Sequence, residues 1–497
     1  MIRRRVAHDA HESGALIQVN APAGTHRQNP AVTIANEIPV DAALLARYDV
    51  QGPRYTSYPP APRFGSDFDA GAFAAVARSS NDDPIPRRLS LYVHAPFCLS
   101  PCFYCGCSRI ITRDRAKAES YLVRLHREIE LVAPLFDRDR KAVQLHFGGG
   151  TPNFFDVGQM ADLIECLDRH FGFAPRSVFE AGIEIDPRSA DRAYIEAMGR
   201  LGFNRISVGV QDFDPAVQAA VNRIQSVEET RVVIEAARES GFRSASIDLI
   251  YGLPKQSAPT FRETLDRVLE LAPDRVVAYG YAHLPSRFRA QRQIRSEDLP
   301  SAPERIALLE LTVRTLTEAG YRYIGMDHFA RADDDLASAQ RHGTLQRNFQ
   351  GYSTHAACDL VGVGMSSISH VGHAYSQNAR DLTGYYAALD AGRLPVARGL
   401  AMSEDDIVRA DAIQHIMCHG TIDVGPFEAR HGLEFDNYFA RELDRLVELA
   451  ADGLVEMAPE RVAVTPRGRY FLRNIAMVFD AYLPDAASGQ DGCSRTV

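Results

Sequence analysis

The sequence predicts an α/β protein whose core is an open, partial (βα)6 barrel, three quarters of a TIM barrel, with an N-terminal arm and a mainly helical, winged-helix-like C-terminal domain. Three observations predict it. From residue 88, strand-like and helix-like segments alternate six times; six units are fewer than the eight of a closed barrel; and beyond residue 384 the alternation stops. Strands are expected at 89–94, 143–147, 178–185, 205–210, 245–251 and 275–281, each rich in β-branched or aromatic residues and bounded by Gly, Pro or polar groups. Amphipathic stretches at 118–135, 159–170, 191–201, 227–240, 260–271 and 303–319 supply the helical crossovers that parallel strands require.

The chain divides accordingly. Residues 1–40 mix His, Asn, Ala, Gly and charge without periodicity and read as a flexible tail. Residues 41–87 form an arm, 88–330 the partial barrel, 331–384 a connecting segment at the substrate site, 385–485 the C-terminal helical domain and 486–497 a second tail. In that last domain, helices at 407–418, 426–431 and 437–451 precede a hairpin of 454–457 with 462–465 and a helix from Pro466, a pattern resembling a winged helix. Glu442, Asp444, Glu448 and Asp452 outweigh Arg441 and Arg445 on the candidate recognition segment. Such a face repels phosphates, so a lid or packing role is expected rather than DNA binding.

Composition narrows the class. A hydrophobic content of 45% and a charged content of 24% are those of an ordinary globular protein. No apolar run reaches the ~20 residues of a membrane helix, and a net charge of −9 argues against general nucleic-acid binding. The basic start lacks the apolar core of a secretory signal, which leads us to expect a cytoplasmic protein.

Of eight cysteines, Cys98, Cys102, Cys105 and Cys107 crowd into ten residues, while Cys166, Cys358, Cys418 and Cys493 are scattered and expected to be inert. A tight cluster in a reducing compartment points to metal or redox chemistry. Zinc with Cys107 as fourth ligand is one reading, but the second ligand pair of a zinc module is absent. Three thiolates on a four-iron cluster leave one iron open to activate a small molecule. The position fits: the cysteines follow the first strand, Gly148–Gly149–Gly150–Thr151–Pro152 the second, Glu184 closes the third, Gln211 the fourth, and Ala282–His283 the sixth. Parallel α/β sheets place their sites at that edge.

Cys98-x-x-x-Cys102-x-x-Cys105 after the first barrel strand resembles the radical S-adenosylmethionine (SAM) superfamily. Within it, several segments resemble the oxygen-independent coproporphyrinogen III oxidases: Gly52–Pro59, Leu91–Cys98, Cys105–Gly106–Cys107, Gly148–Pro152, Gly202–Arg205, Val210–Phe213, Ile247–Lys255, Tyr281–Pro285, Gly325–Ala330 and Arg347–Tyr352. The likeness runs from about residue 41 to the final helix. It implies a [4Fe-4S] cluster on Cys98, Cys102 and Cys105, with Cys107 not a ligand. It also implies two SAM molecules. Tyr92, Gly149, Glu184 and Ile368 would contact the first; Tyr104, Gly150, Thr151, Gln211, Arg223, Asp248 and Ala282 would contact the second. A 5′-deoxyadenosyl radical from SAM would convert two propionates of coproporphyrinogen III to vinyls. The implied partners are that substrate and an electron donor such as a flavodoxin or ferredoxin; the implied state is a monomer. A haem chaperone of the related branch is the alternative.

Each residue also has a plainer explanation. Gly148–Gly150 can bind a carboxylate through backbone N–H groups, or simply make a tight turn. Glu184 can accept from ribose hydroxyls, or lie solvated at a strand end. Gln211 at a strand end can cap a loop. Asp248 and Arg223 stand beside apolar segments, where an ion pair is the structural alternative. Arg54, Lys255 and Arg347 are candidates for the propionates, and His94 and His328 are either site residues or satisfied structural histidines.

Overall fold

The computed structural model describes residues 42–355, 358–483 and 494–496. The expected 1–40 tail, most of the 486–497 tail and Cys493 lie outside the described residues. The six expected strands are present as β1 (Arg88–Ala95), β2 (Ala142–Gly149), β3 (Glu180–Ile185), β4 (Arg205–Gln211), β5 (Ser244–Tyr251) and β6 (Arg275–Gly280). They are neighbours in that order and parallel throughout. The third strand starts two residues later than expected, because Val178 is half exposed in the preceding turn.

Six further strands join the same sheet: β7 (Tyr321–Gly325), β8 (His328–Arg331), β9 (Cys358–Val363), β10 (Ile368–Val371), β11 (Ala374–Asn378) and β12 (Val396–Ala401). The order is β12-β11-β10-β9-β1-β2-β3-β4-β5-β6-β8-β7. Strand β9 is parallel to β1, and β10 to β12 follow antiparallel. These strands were not anticipated, since Gly362, Gly364 and the Ser366–Ser367 pair hide the periodicity of 358–371.

Helices α1 (Ala116–Val132), α2 (Val157–Phe171), α3 (Arg192–Leu201), α4 (Val227–Glu239), α5 (Ala258–Leu271) and α6 (Ala302–Glu318) cover one face of the parallel segment. The first ends at Val132 rather than 135, because Pro134 brings no N–H to an α-helical turn and 133–135 tighten into a 3-10 turn. Capping boxes at Asp156/Gln159 and Ser226/Glu229 fix the starts of α2 and α4. Leu89, Leu91, Val93, Leu145, Phe147, Ile183, Ile206 and Val208 bury against these helices.

The alternate residues face the other side, as a period of two requires. At the start of the strands they make a closed polar network: Ser90 donates to Gln144 at 2.8 Å, Gln144 to Glu180 at 2.8 Å, and Arg275 pairs with Asp334 at 2.9 Å. Along this inner face runs a cavity of about 150 Å³, lined from Gln144, Glu180 and Arg275 at the strand starts to His146, Glu184 and Asp248 nearer their ends.

Glu404–His419, Val424–His431 and Ala440–Ala451 are helical, and Val455–Ala458 pairs with Arg461–Val464. Thr421–Asp423 adds a third strand that was not expected. The helix expected from Pro466 is a 3-10 turn, Arg467–Phe471, continued by Leu472–Met477. The arm is tied to this region: Tyr55 donates to Asp480 at 2.9 Å, and Ala481 N–H to the Tyr58 hydroxyl at 2.9 Å. Cys166 and Cys418 are buried among apolar neighbours, as expected. No helix among the described residues is long and apolar enough to cross a membrane.

Candidate active site

The cysteine loop leaves β1 at its C-terminal end. Phe97–Cys98 pairs with Ile110–Ile111, which closes the loop at its base. Each of the three predicted ligands has a polar neighbour. The Thr151 hydroxyl lies 3.3 Å from Cys98 Sγ, Arg223 Nη1 lies 3.6 Å from Cys102 Sγ, and the Cys107 N–H donates to Cys105 Sγ at 3.4 Å. Arg109 crosses the loop, donating to the carbonyls of Cys105 at 3.0 Å and Cys102 at 3.2 Å. Burial pushes the Cys98 thiol up to about 11. A hydrogen bond from the Cys107 side chain, with the Arg109 guanidinium, instead draws Cys105 down to about 6.

These residues fit a cluster. Three thiolates can ligate three irons of a four-iron cluster and leave the fourth open. Arg109 and Arg223 each keep a buried Nε without a hydrogen-bond partner, so donors remain beside the sulfurs. Cys107 is exposed, and its neighbour must be glycine: a Cβ at Gly106 would lie 2.9 Å from the Phe288 ring.

The glycine turn after β2 is built around Glu184. Gly149 donates its N–H to Glu184 Oε2 at 3.2 Å, and His146 Nε2 lies 3.3 Å from Oε1. A Cβ at Gly148 would come within 2.8 Å of Glu184; one at Gly150 would come within 2.8 Å of the Pro96 backbone. Gly149 has φ +114°, which a side chain would strain. Burial alone would raise the Glu184 carboxyl, but the His146 hydrogen bond and the Gly149 N–H hold it below its ordinary value. Tyr92 stacks on His146 at 6.1 Å, and its hydroxyl lies 3.2 Å from His94 Nδ1.

Opposite this turn, Arg223 is buried and pairs with Asp186 at 3.5 Å, which also holds Arg188. An Arg223–Asp248 ion pair is not what is formed: Asp248 instead accepts from the Ser207 hydroxyl, whose oxygen lies 3.0 Å from each carboxylate oxygen. Gln211 has φ +72° at a bulge against β5, a strained position for a non-glycine residue. Its amide and Arg223 converge on Gly209, where a Cβ would meet them at 3.1 and 3.0 Å. Gln291 ties Tyr104 to Ala282, donating to their carbonyls at 2.9 and 3.0 Å. Ile368 abuts Gly362, the register partner of Tyr92. The expected cluster ligands and the expected SAM contacts on β1 to β5 therefore lie toward the C-terminal edge of the parallel strands.

Other candidates are engaged elsewhere. Arg54 pairs with Asp327 at 2.6 Å and lies over Tyr279; Lys255 faces Asp298 at 3.5 Å. Arg347 is buried, with Nε toward the Arg54 carbonyl and its guanidinium over Tyr352. His94 Nε2 lies 2.9 Å from the Ser108 carbonyl, and His328 Nδ1 2.7 Å from that of Met326, both satisfied structurally. Sequence reasoning missed His146, Asp186, Arg109 and Arg188. His146 had a signal, standing two residues before Gly148 on one strand face.

Burial and the nearby Glu184 charge raise Asp248 to about 7. An acid raised in the fold stabilises it least above that value. Asp248→Asn is therefore expected to make the cofactor-free protein more stable at pH 8, by a few kcal/mol at most. The gain should fade as pH falls through about 7 and be gone by about pH 3, where the carboxyl is protonated in both folded and unfolded chains. Urea titrations at the two pH values read this; an equal gain at both contradicts it.

Comparison with known proteins agrees with the geometry. Residues 92–268 match the radical SAM superfamily, and residues 402–471 the HemN C-terminal domain family. The chain is 49% identical over 444 residues to the oxygen-independent coproporphyrinogen III oxidase of Pseudomonas aeruginosa, covering 89% of this chain and 96% of that one. It is 47% identical over 455 residues to the Escherichia coli enzyme, covering 91% and 98%. The solved structure of the E. coli coproporphyrinogen III oxidase, a radical SAM enzyme, superposes with a TM-score of 0.85 at 45% identity, covering 90% of this chain and 100% of that one. The chain belongs to the oxygen-independent coproporphyrinogen III oxidase family of radical SAM enzymes.

Proposed function

We propose that the chain oxidatively decarboxylates coproporphyrinogen III to protoporphyrinogen IX, turning two propionates into vinyls in haem biosynthesis. The observation that carries this is the meeting, at one sheet edge, of the three-cysteine loop with the Gly149–Glu184 turn. Cys98, Cys102 and Cys105 hold a [4Fe-4S] cluster. A cluster held there would supply reductive cleavage of SAM and so hydrogen abstraction at a propionate β-carbon, after which carbon dioxide and one electron, passed to an acceptor, must leave to give the vinyl.

The chain's own residues position and shield. Tyr92, Gly149, Glu184 and Ile368 hold the first SAM, with Glu184 kept ionised to accept from ribose hydroxyls. Tyr104, Gly150, Thr151, Gln211, Arg223, Asp248 and Ala282 hold a second. Arg223 and Arg188 sit beside Cys102 and offset thiolate charge. The six parallel strands are read as the three-quarter barrel, the C-terminal helices and three-stranded sheet as a winged-helix-like cover, and the arm as its partner in excluding water. A flavodoxin or ferredoxin is the electron donor, and the protein acts as a cytoplasmic monomer.

Anaerobically reconstituted protein, given a reductant and SAM, is expected to form protoporphyrinogen IX, read by chromatography after oxidation. SAM cleavage without any vinyl product contradicts the proposal. Stable haem binding without turnover would assign the chain to haem handling instead.

A further inference from the structure

The inner face of the sheet carries one arginine that no role above uses. Registers run in a line across six strands from the cofactor edge: His146 pairs with Tyr92, Tyr92 with Gly362, Ile368 with Gln377, and Gln377 with Arg398. Gly362 completes the row, for a Cβ there would lie 2.5 Å from the Ile368 carbonyl oxygen. Directly opposed residues share a sheet face, so Arg398 stands on the face that carries Tyr92 and His146.

Its position is fixed from three sides. Arg398 Nε donates to Gln377 Oε1 at 2.7 Å, and Gln377 Nε2 to the Ser366 carbonyl at 3.1 Å. The Ser366 hydroxyl lies 3.5 Å from His94 Nε2, which contacts the Ser108 carbonyl in the cysteine loop. The guanidinium lies over the Phe64 ring at 5.8 Å, and the arm is stitched alongside by the Gly65–Gly399 pair of hydrogen bonds at 2.8 and 2.9 Å. The two terminal nitrogens of Arg398 have no hydrogen-bond partner among the described residues.

Burial, with the positive charges of Arg380 and Arg287, pushes the Arg398 guanidinium below its ordinary value. Arg380 is exposed on the turn after β11, and Arg287 is exposed on the loop after β6. Phe288, the next residue, packs against Gly106 of the cysteine loop.

We infer that Arg398, supported by Arg380, is a carboxylate-binding site that anchors a propionate of the tetrapyrrole at the catalytic edge. The inference rests on the substrate proposed above. A planar guanidinium with two open nitrogens suits a carboxylate bidentately. SAM also carries a carboxylate, so the two sources must be told apart.

Steady-state kinetics of Arg398→Ala and Arg398→Lys holoprotein do so. Loss of charge-assisted hydrogen bonds should raise KM for coproporphyrinogen III about tenfold or more in the alanine variant, and less in the lysine variant. KM for SAM should stay within about twofold, with iron and sulfide content as in the wild type. A coproporphyrinogen KM within about twofold of wild type, or a SAM KM that rises as much, overturns the inference. Titration with coproporphyrin III, followed by fluorescence, gives a reading that needs no turnover. Binding should weaken in Arg398→Ala, whereas its tetramethyl ester should bind both proteins alike; equal loss for the ester overturns the site. If wild-type protein fails to convert coproporphyrinogen, the proposed function fails, and the titration still judges Arg398. Should Arg398→Ala not fold, the exposed Arg380→Ala is expected to weaken coproporphyrin binding about threefold, and no change there overturns the site.

Discussion

Cys102→Ser is expected to abolish the cluster and, with it, all formation of vinyl product. Cys102 is the buried member of the three, with Arg223 and Arg188 both within 3.8 Å of its sulfur. A serine oxygen at that depth replaces a soft thiolate with a poor iron ligand. It also leaves two guanidinium groups facing an uncharged hydroxyl. Iron and acid-labile sulfide should fall from about four each per chain to near zero. Cys107→Ser should retain full iron and sulfide, because Cys107 is not one of the three ligands: the backbone N–H to Cys105 is kept and a serine hydroxyl can replace the side-chain hydrogen bond. Equal loss in the two variants would mean that the assignment of three ligands is wrong.

Glu184→Ala is expected to weaken SAM binding by roughly 10²-fold while leaving the cluster in place. Glu184 is the point on which the glycine turn closes: it accepts from Gly149, abuts Gly148 and faces His146. Removing it takes away an ionised acceptor and releases the turn from the position in which its N–H groups are aimed. Glu184→Gln keeps the shape and one acceptor oxygen, so it should fall between wild type and alanine. Equilibrium binding of SAM to the reconstituted protein measures both. Wild-type affinity in Glu184→Ala would remove this residue from the cofactor site.

Much of this arrangement was legible in the sequence, and the exceptions have physical causes. Strands β1 to β6 announce themselves because each alternates an apolar face toward the helices with a polar face toward the cavity, and because each is followed by a helix. The site residues are legible for a related reason: parallel topology sends every strand's last residues to one edge, so Cys98, Gly149, Glu184 and Gln211 converge although far apart in the chain. Strands β9 to β12 were hidden. They are short and antiparallel after β9, and glycines in this stretch replace side chains where backbone approaches closely, as Gly362 meets Ile368 and Gly399 meets Tyr375 and Phe68. Asp186, Arg188 and Arg109 were hidden too, since a lone charged residue in a turn looks the same whether it faces water or a sulfur. Arg398 was illegible for both reasons at once: it lies on an unforeseen strand, and its relation to Tyr92 exists only through register. The pairing of Arg223 went to Asp186 rather than Asp248, a choice set by which loops meet above Cys102.

The central claim is that three cysteines hold a cluster with an open iron on which SAM binds. Electron paramagnetic resonance of the anaerobic, dithionite-reduced protein tests it directly. A reduced [4Fe-4S] signal whose g values shift on adding SAM is the predicted result. A cluster signal unchanged by saturating SAM, or zinc in place of iron and sulfide, would contradict it.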